Sequence, residues 1–201
     1  MADIRDGKLI YHLTDITNLE AIFSQGLKPR SLLKQFSDVA DAGIIESRRT
    51  LRLEECVPFH FFAKNPFDGR VHRNNVDKKF ALITVLRSHA QTNNWHIIPR
   101  HPLAGTDITL LSYEAGIKTI DWDTMERRAY LEDECRHVCM AECLSPTTVP
   151  ASDFYSIYVP DEGTEQTVNA LKKRYKLTLY VNYSPNMFPE PERGLRLQRQ
   201  P

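Results

Sequence analysis

The sequence predicts an α+β fold built on a mostly antiparallel sheet. Three observations carry that expectation. β-prone runs such as CVPFHFF (56–62), FALITVL (80–86) and KLTLYVN (176–182) are scattered along the whole chain. Clear helical periodicity is confined to a few short segments. The two kinds of segment do not alternate regularly, as the βαβ units of a doubly wound parallel sheet would require. At 201 residues the chain suits one domain. The expected division is a single domain over 1–185 and a Pro- and Arg-rich tail over 186–201.

KLIYHLT (8–14) reads as a short strand. Asp15 or Thr17 supplies a side-chain oxygen to cap the helix that follows. Leu19, Ile22 and Phe23 recur at helical spacing, and Gly26 is placed to end the helix because it tolerates positive φ. AGIIESRRTLRLEE (42–55) is compatible with helix or extended chain. CVPFHFF is a strand by composition. AKNPFDGRVHRNNVDKK (63–79) is expected to be a loop, being rich in Asn, Asp, Gly and Pro. FALITVL reads as a buried strand, WHII (95–98) as a short one, and FYSIYV (154–159) as another. EQTVNALKKRY (165–175) is an amphipathic helix, and KLTLYVN closes the set with clean alternation.

Charge and motifs exclude several function classes. Lys plus Arg and Asp plus Glu number 26 each, so a dominant sequence-independent grip on a polyanion is not expected. No run of about 18 apolar residues predicts a membrane span, and the N-terminus is too charged for a secretory signal, so the expected compartment is the cytoplasm. Neither GxGxxG nor GxxxxGK[ST] occurs, and GxSxG and HExxH are also missing. Cys135, Cys139 and Cys143 lie four apart, with Cys56 far upstream. A zinc site would need Cys56 or His137 as fourth ligand. A stripe of small buried residues is the reading adopted, with no metal expected.

What remains is a set of separated polar residues. His12 and Thr14 share one face of their strand. Arg48 and Arg49 in ESRR offer planar forks that match phosphate. Glu142 stands alone in an otherwise uncharged run from Val138 to Val149. Burying such a carboxylate is costly without partners or a function, and groups of this kind serve as bases.

YHLTDITNLEAIFSQGL, IESRR, VPFHFF, IDWDTM and MAEC occur in this order over about residues 9 to 160. Together they resemble the DarT family of nucleic-acid ADP-ribosyltransferase toxins. The resemblance implies the ADP-ribosyltransferase fold, with two antiparallel-rich sheets forming a cleft for NAD+ as co-substrate. It implies that His12 and Thr14 hold the nicotinamide ribose and amide end, that Asn18 orients the first helix near the cleft, and that Gly26 lets backbone approach the dinucleotide. It casts Arg48 as a contact to the NAD+ phosphates or the acceptor base, and Glu142 as the catalytic carboxylate.

The implied reaction moves ADP-ribose from NAD+ to a nucleobase and releases nicotinamide. Single-stranded DNA is the expected acceptor, because a base inside a duplex shows only its groove edges. RNA or protein acceptors, or a non-catalytic nucleotide-binding domain, are the alternatives. IDWDTMERRAYLEDECRH (120–137) would form the substrate loop, with Trp122 and Tyr130 stacking on bases and Arg127 and Arg128 on phosphate. A macrodomain-type antitoxin that removes ADP-ribose is the partner implied by the same resemblance.

Overall fold

The computed structural model describes residues 3–34, 36–37, 52–101 and 109–190. Among the described residues eight strands form one sheet: β1 (Leu9–Asp15), β2 (Val57–His60), β3 (Phe80–Leu86), β4 (His96–Ile98), β5 (Leu111–Ser112), β6 (Glu142–Ser145), β7 (Ser156–Val159) and β8 (Tyr180–Tyr183). Their spatial order is β5-β4-β6-β2-β1-β3-β7-β8. Every pairing is antiparallel except β7 with β8, which lie parallel at one edge.

The described helices are α1 (Leu19–Gln25), α2 (Pro66–Asn74), α3 (Arg87–Thr92), α4 (Tyr113–Thr119), α5 (Trp122–Arg127), α6 (Asp133–Val138) and α7 (Glu162–Arg174). The expected loop at 63–79 contains α2. Asn65 caps it by accepting from the Asp68 N–H, and Pro66 begins its first turn, where its missing N–H costs nothing. The polar composition that suggested a loop is instead the composition of a capped surface helix. No described helix is long and apolar enough to cross a membrane.

β3 shows why FALITVL is nearly all apolar, Thr84 alone being polar and satisfied by Ser156. Ala81, Ile83 and Val85 face the main core, which also takes in Ile10, Phe59, Ile97 and Ile157. Phe80 and Leu82 face the other way, into a smaller core with Leu13, Val71 and Phe188. A strand covered on both faces has no solvent side to mark with polar residues. Phe188 belongs to that second core and follows a 3₁₀ turn at Pro185–Met187, so packed chain continues past residue 185.

The resemblance implies two sheets. The strands observed form a single hydrogen-bonded sheet, but its two halves meet weakly. β1 and β3 pair over seven residues, Leu9 to Asp15, whereas β1 and β2 share one register pair, Tyr11 with His60. The candidate site opens at this seam.

Candidate functional site

A cavity of about 490 Å³ lies at the seam, with walls from β1, α1, β2 and β6. That volume is in the range of small-molecule and cofactor sites. Its lining brings together His12 and Thr14 of β1, Asn18 and Gly26 at the two ends of α1, and Glu142 of β6.

The strand pleat puts His12 and Thr14 on one face, as their spacing requires. The His12 Nδ1 lies 2.8 Å from the Pro58 carbonyl oxygen. A carbonyl only accepts, so Nδ1 carries the proton and the ring is held by β2. The imidazole also packs on Phe59, 5.6 Å between ring centroids. Thr14 is buried and accepts from the Asn18 amide at 3.4 Å.

Asn18 and Asp15 anchor the chain beyond α1. The Asn18 amide donates to the Ser37 carbonyl and accepts the Ser37 N–H, each at 3.0 Å. Asp15 accepts from the Thr17 N–H at 2.9 Å and the Ser37 hydroxyl at 2.7 Å. Burial pushes the Asp15 carboxyl up, but hydrogen bonds from Thr17 and Ser37 and the charge of Lys78 outweigh it, leaving the pKa below the ordinary value. Of the two expected caps Asp15 is used, but on the 3₁₀ turn Ile16–Asn18 that leads into α1; α1 itself starts after Asn18, whose side chain makes no capping bond.

Gly26 ends α1 with φ +82°, a conformation L side chains rarely adopt. A Cβ there would stand 2.7 Å from Thr148 Cγ2 and 3.0 Å from the Val149 carbonyl oxygen. The tight approach lets Leu27 and Val149 exchange two backbone hydrogen bonds, of 2.8 and 2.9 Å. The wall made by α1 is thereby stitched to the chain that leaves β6.

Glu142 is the first residue of β6 and is buried. It stands opposite His60 on β2 and opposite Ile98 on β4. Two buried histidines line the cavity with it, His60 and His101. Burial pushes the His101 imidazole down to about 4; the pull of Glu142 raises it, and His137, His60 and Arg70 oppose that pull. His101 is therefore neutral at physiological pH. Sequence reasoning missed both histidines as site residues. His60 lies on a recognised strand and His101 follows another, but only the folded sheet sets them beside Glu142.

Arg48 lies outside the described residues. The four proposed nucleic-acid contacts do not line the cavity. Trp122 requires a correction: it is 6% exposed and belongs to the core. Its indole N–H donates to the Ile117 carbonyl at 2.9 Å, and its ring meets Phe61 edge-on at 5.3 Å. A base cannot stack on a ring so enclosed. Arg127 pairs with Glu132 on the surface. Arg128 ends α5 with φ +50° and lays its guanidinium 5.2 Å from the Phe62 ring centroid. Tyr130 donates its hydroxyl to the Lys64 carbonyl at 3.2 Å. Immediately after Tyr130 the loop exposes Leu131 almost completely, at 99%.

The cysteines do not form one stripe. α6 carries Cys135, the turn after it Cys139, and β6 Cys143, all buried and all free thiols. The Cys135 and Cys139 sulfurs are 4.0 Å apart. Among the described residues no group of three or more His, Cys, Asp or Glu side chains is placed to hold a metal ion.

The family model described as "ssDNA thymidine ADP-ribosyltransferase, DarT" matches residues 11–189. The chain belongs to the DarT family. Its reaction class is therefore NAD+-dependent ADP-ribosyl transfer to single-stranded DNA. The fold agrees with solved DarT structures. Thermus sp. 2.9 DarT in complex with ADP-ribosylated ssDNA superposes with a TM-score of 0.79 at 18% identity, over 90% of this chain and 96% of that one. The same Thermus protein in complex with NAD+ gives a TM-score of 0.72 at 16% identity, over 92% and 98%. Thermosipho africanus DarTG in complex with ADP-ribose gives 0.72 at 22% identity, over 90% of this chain and 51% of that chain. No curated protein sequence matches.

Proposed function

We propose that the cavity binds NAD+ and that Glu142 drives transfer of ADP-ribose to thymidine in single-stranded DNA. The observation that carries this reading is the meeting of His12, Thr14, Asn18, Gly26 and Glu142 around one cavity, from segments far apart in the chain. The fit to a dinucleotide rests on the cavity's volume, while Gly26 keeps the α1 wall in place by packing against Thr148 and Val149 behind it.

NAD+ supplies the ADP-ribosyl group, and positive charge builds on its ribose as nicotinamide departs. Glu142 sets a carboxylate in a buried, water-poor wall, where it stabilises such charge far better than it would in bulk water. Thymidine carries a single ring N–H, so an acceptor of this kind must lose that proton to become a nucleophile. Glu142 is the group we assign to take it. His12 and Thr14 are assigned to the nicotinamide end, with the His12 ring held by Pro58. Asn18 shapes the rim by fixing Ser37. Arg48 is proposed for the NAD+ phosphates or the acceptor base.

For the nucleic acid we propose the loop between α5 and α6, with Arg127, Arg128 and Tyr130 as contacts and without Trp122. Its exposed tip supports that reading. We propose one catalytic domain that runs through Phe188, a cytoplasmic location where NAD+ and DNA coexist, and a macrodomain-type antitoxin as partner.

The test is incubation with labelled NAD+ and single-stranded DNA oligonucleotides that differ in one base, with RNA counterparts at the same salt. Label confined to thymidine-containing DNA and lost in Glu142→Ala supports the reading. Label on RNA or protein alone, or persistence in the folded Glu142→Ala variant, overturns it.

A further inference from the structure

His60 makes a contact that the reaction class does not explain. It stands directly opposite Glu142 in the β2–β6 ladder, so both side chains leave the sheet on one face, toward the cavity. Its Nδ1 lies 3.2 Å from the carbonyl oxygen of Ala141, the residue immediately before Glu142. The carbonyl only accepts, so Nδ1 is the donor and carries the proton. The ring is held in turn by Phe67, 5.3 Å between centroids with planes inclined by 32°. Phe67 belongs to the first turn of α2, whose start is fixed by the Asn65 cap.

Ala141 is where the chain turns from α6 into β6; its own N–H bonds to the Val138 carbonyl. The peptide plane between Ala141 and Glu142 sets the direction in which the Glu142 side chain leaves the backbone. β6 begins at Glu142, so the Ala141 carbonyl lies just ahead of the strand, where the His60 ring bonds it. We propose that His60 is a positioning residue: its Nδ1–H clamps the Ala141–Glu142 peptide so that the Glu142 carboxylate holds its aim into the cavity. The inference rests on Glu142 being the catalytic carboxylate. A misplacement of about 1 Å at a reacting group costs on the order of 100-fold in rate, so a clamp at this peptide acts on turnover more than on binding.

Two substitutions separate the donor from the ring. His60→Asn keeps an N–H near the Nδ1 position and removes the ring. His60→Phe keeps a ring on Phe67 and removes the donor. With the full chain, NAD+ and a thymidine-containing single-stranded oligonucleotide, kcat should fall about 10- to 100-fold in His60→Phe with KM for NAD+ little changed. His60→Asn should keep most of kcat. Long-range proton–nitrogen NMR of the unmutated protein should find a proton on the His60 Nδ1. Unchanged kcat in His60→Phe, equal loss in both folded variants, or the Nε2–H tautomer would overturn the clamp. Should His60→Phe not fold, the His60→Asn rate and the tautomer decide. Glu142→Ala runs in parallel. If it remains active, the catalytic assignment falls and the clamp with it; if it is inactive while His60→Phe turns over normally, the clamp alone falls.

Discussion

Asn18 grips the backbone of Ser37 with both ends of its amide, 3.0 Å from the carbonyl and 3.0 Å from the N–H. One side chain at the start of α1 thus fixes a point nineteen positions further along the chain, at the rim of the cavity. A two-point grip on a peptide cannot be copied by a smaller or a purely accepting side chain.

Asn18→Ala should therefore loosen the rim more than the fold. Two hydrogen bonds at about 1 kcal/mol each correspond to a rise in KM for NAD+ of about 5- to 30-fold. The overall melting temperature should change little. Initial rates over a range of NAD+ concentrations check this, and an unchanged KM would refute it.

Gly26→Ala carries two penalties. The φ of +82° is strained for alanine, and the added Cβ meets Thr148 at 2.7 Å. The strain alone costs about 1–3 kcal/mol. Urea unfolding should show at least that loss, with NAD+ binding weakened because Leu27 and Val149 are pushed apart. A neutral substitution would mean that the wall is not built as described.

His101 gives stability a pH dependence of definite sign. Burial holds its folded pKa at about 4, against about 6.5 when unfolded. Between those values the unfolded chain binds the extra proton, so stability is fully present above about pH 6.5 and is lost as pH falls toward 4. The contribution is about 3 kcal/mol. His101→Gln should flatten the unfolding free energy over that interval. A slope as steep as that of the unmutated protein would assign the titration elsewhere. Asp15 adds to acid loss below this window, because its lowered pKa favours the folded state only while it is ionised.

Trp122 and Arg87 form a structural pair, with the guanidinium 5.5 Å from the indole centroid. Arg87 is buried and donates to the carbonyls of Ile4, Arg5, Leu9 and Phe61 at 2.8–3.2 Å. Trp122→Ala should cost about 3–5 kcal/mol by chemical denaturation. Trp122→Phe, which refills most of the space, should bind single-stranded oligonucleotides as tightly as before. Weakened binding by that folded variant would return Trp122 to the nucleic-acid surface.

The sequence by itself determined the local elements and the family. β1, β3, α1 and α7 follow from periodicity, capping and β-branched content, which act over a few residues and need no tertiary context. Gly26 was legible for the same reason, since a helix stop at positive φ is a local requirement. Glu142 stood out because it is the only charge between Val138 and Val149, and a lone carboxylate there calls for a task. α2 was misread because Asn, Pro and Asp begin helices as readily as they make loops, and only the Asn65 cap distinguishes the two. Trp122 was misassigned because composition does not tell which side of a short helix faces the core. His60 and His101 were invisible as site residues, since what makes them so is strand order. β2 lies between β1 and β6, and that arrangement sets His60 against Glu142. The single Tyr11–His60 pair, which leaves room for a cavity at the seam, is likewise a decision of tertiary structure. Register between distant strands depends on how whole faces pack, and no local pattern encodes it.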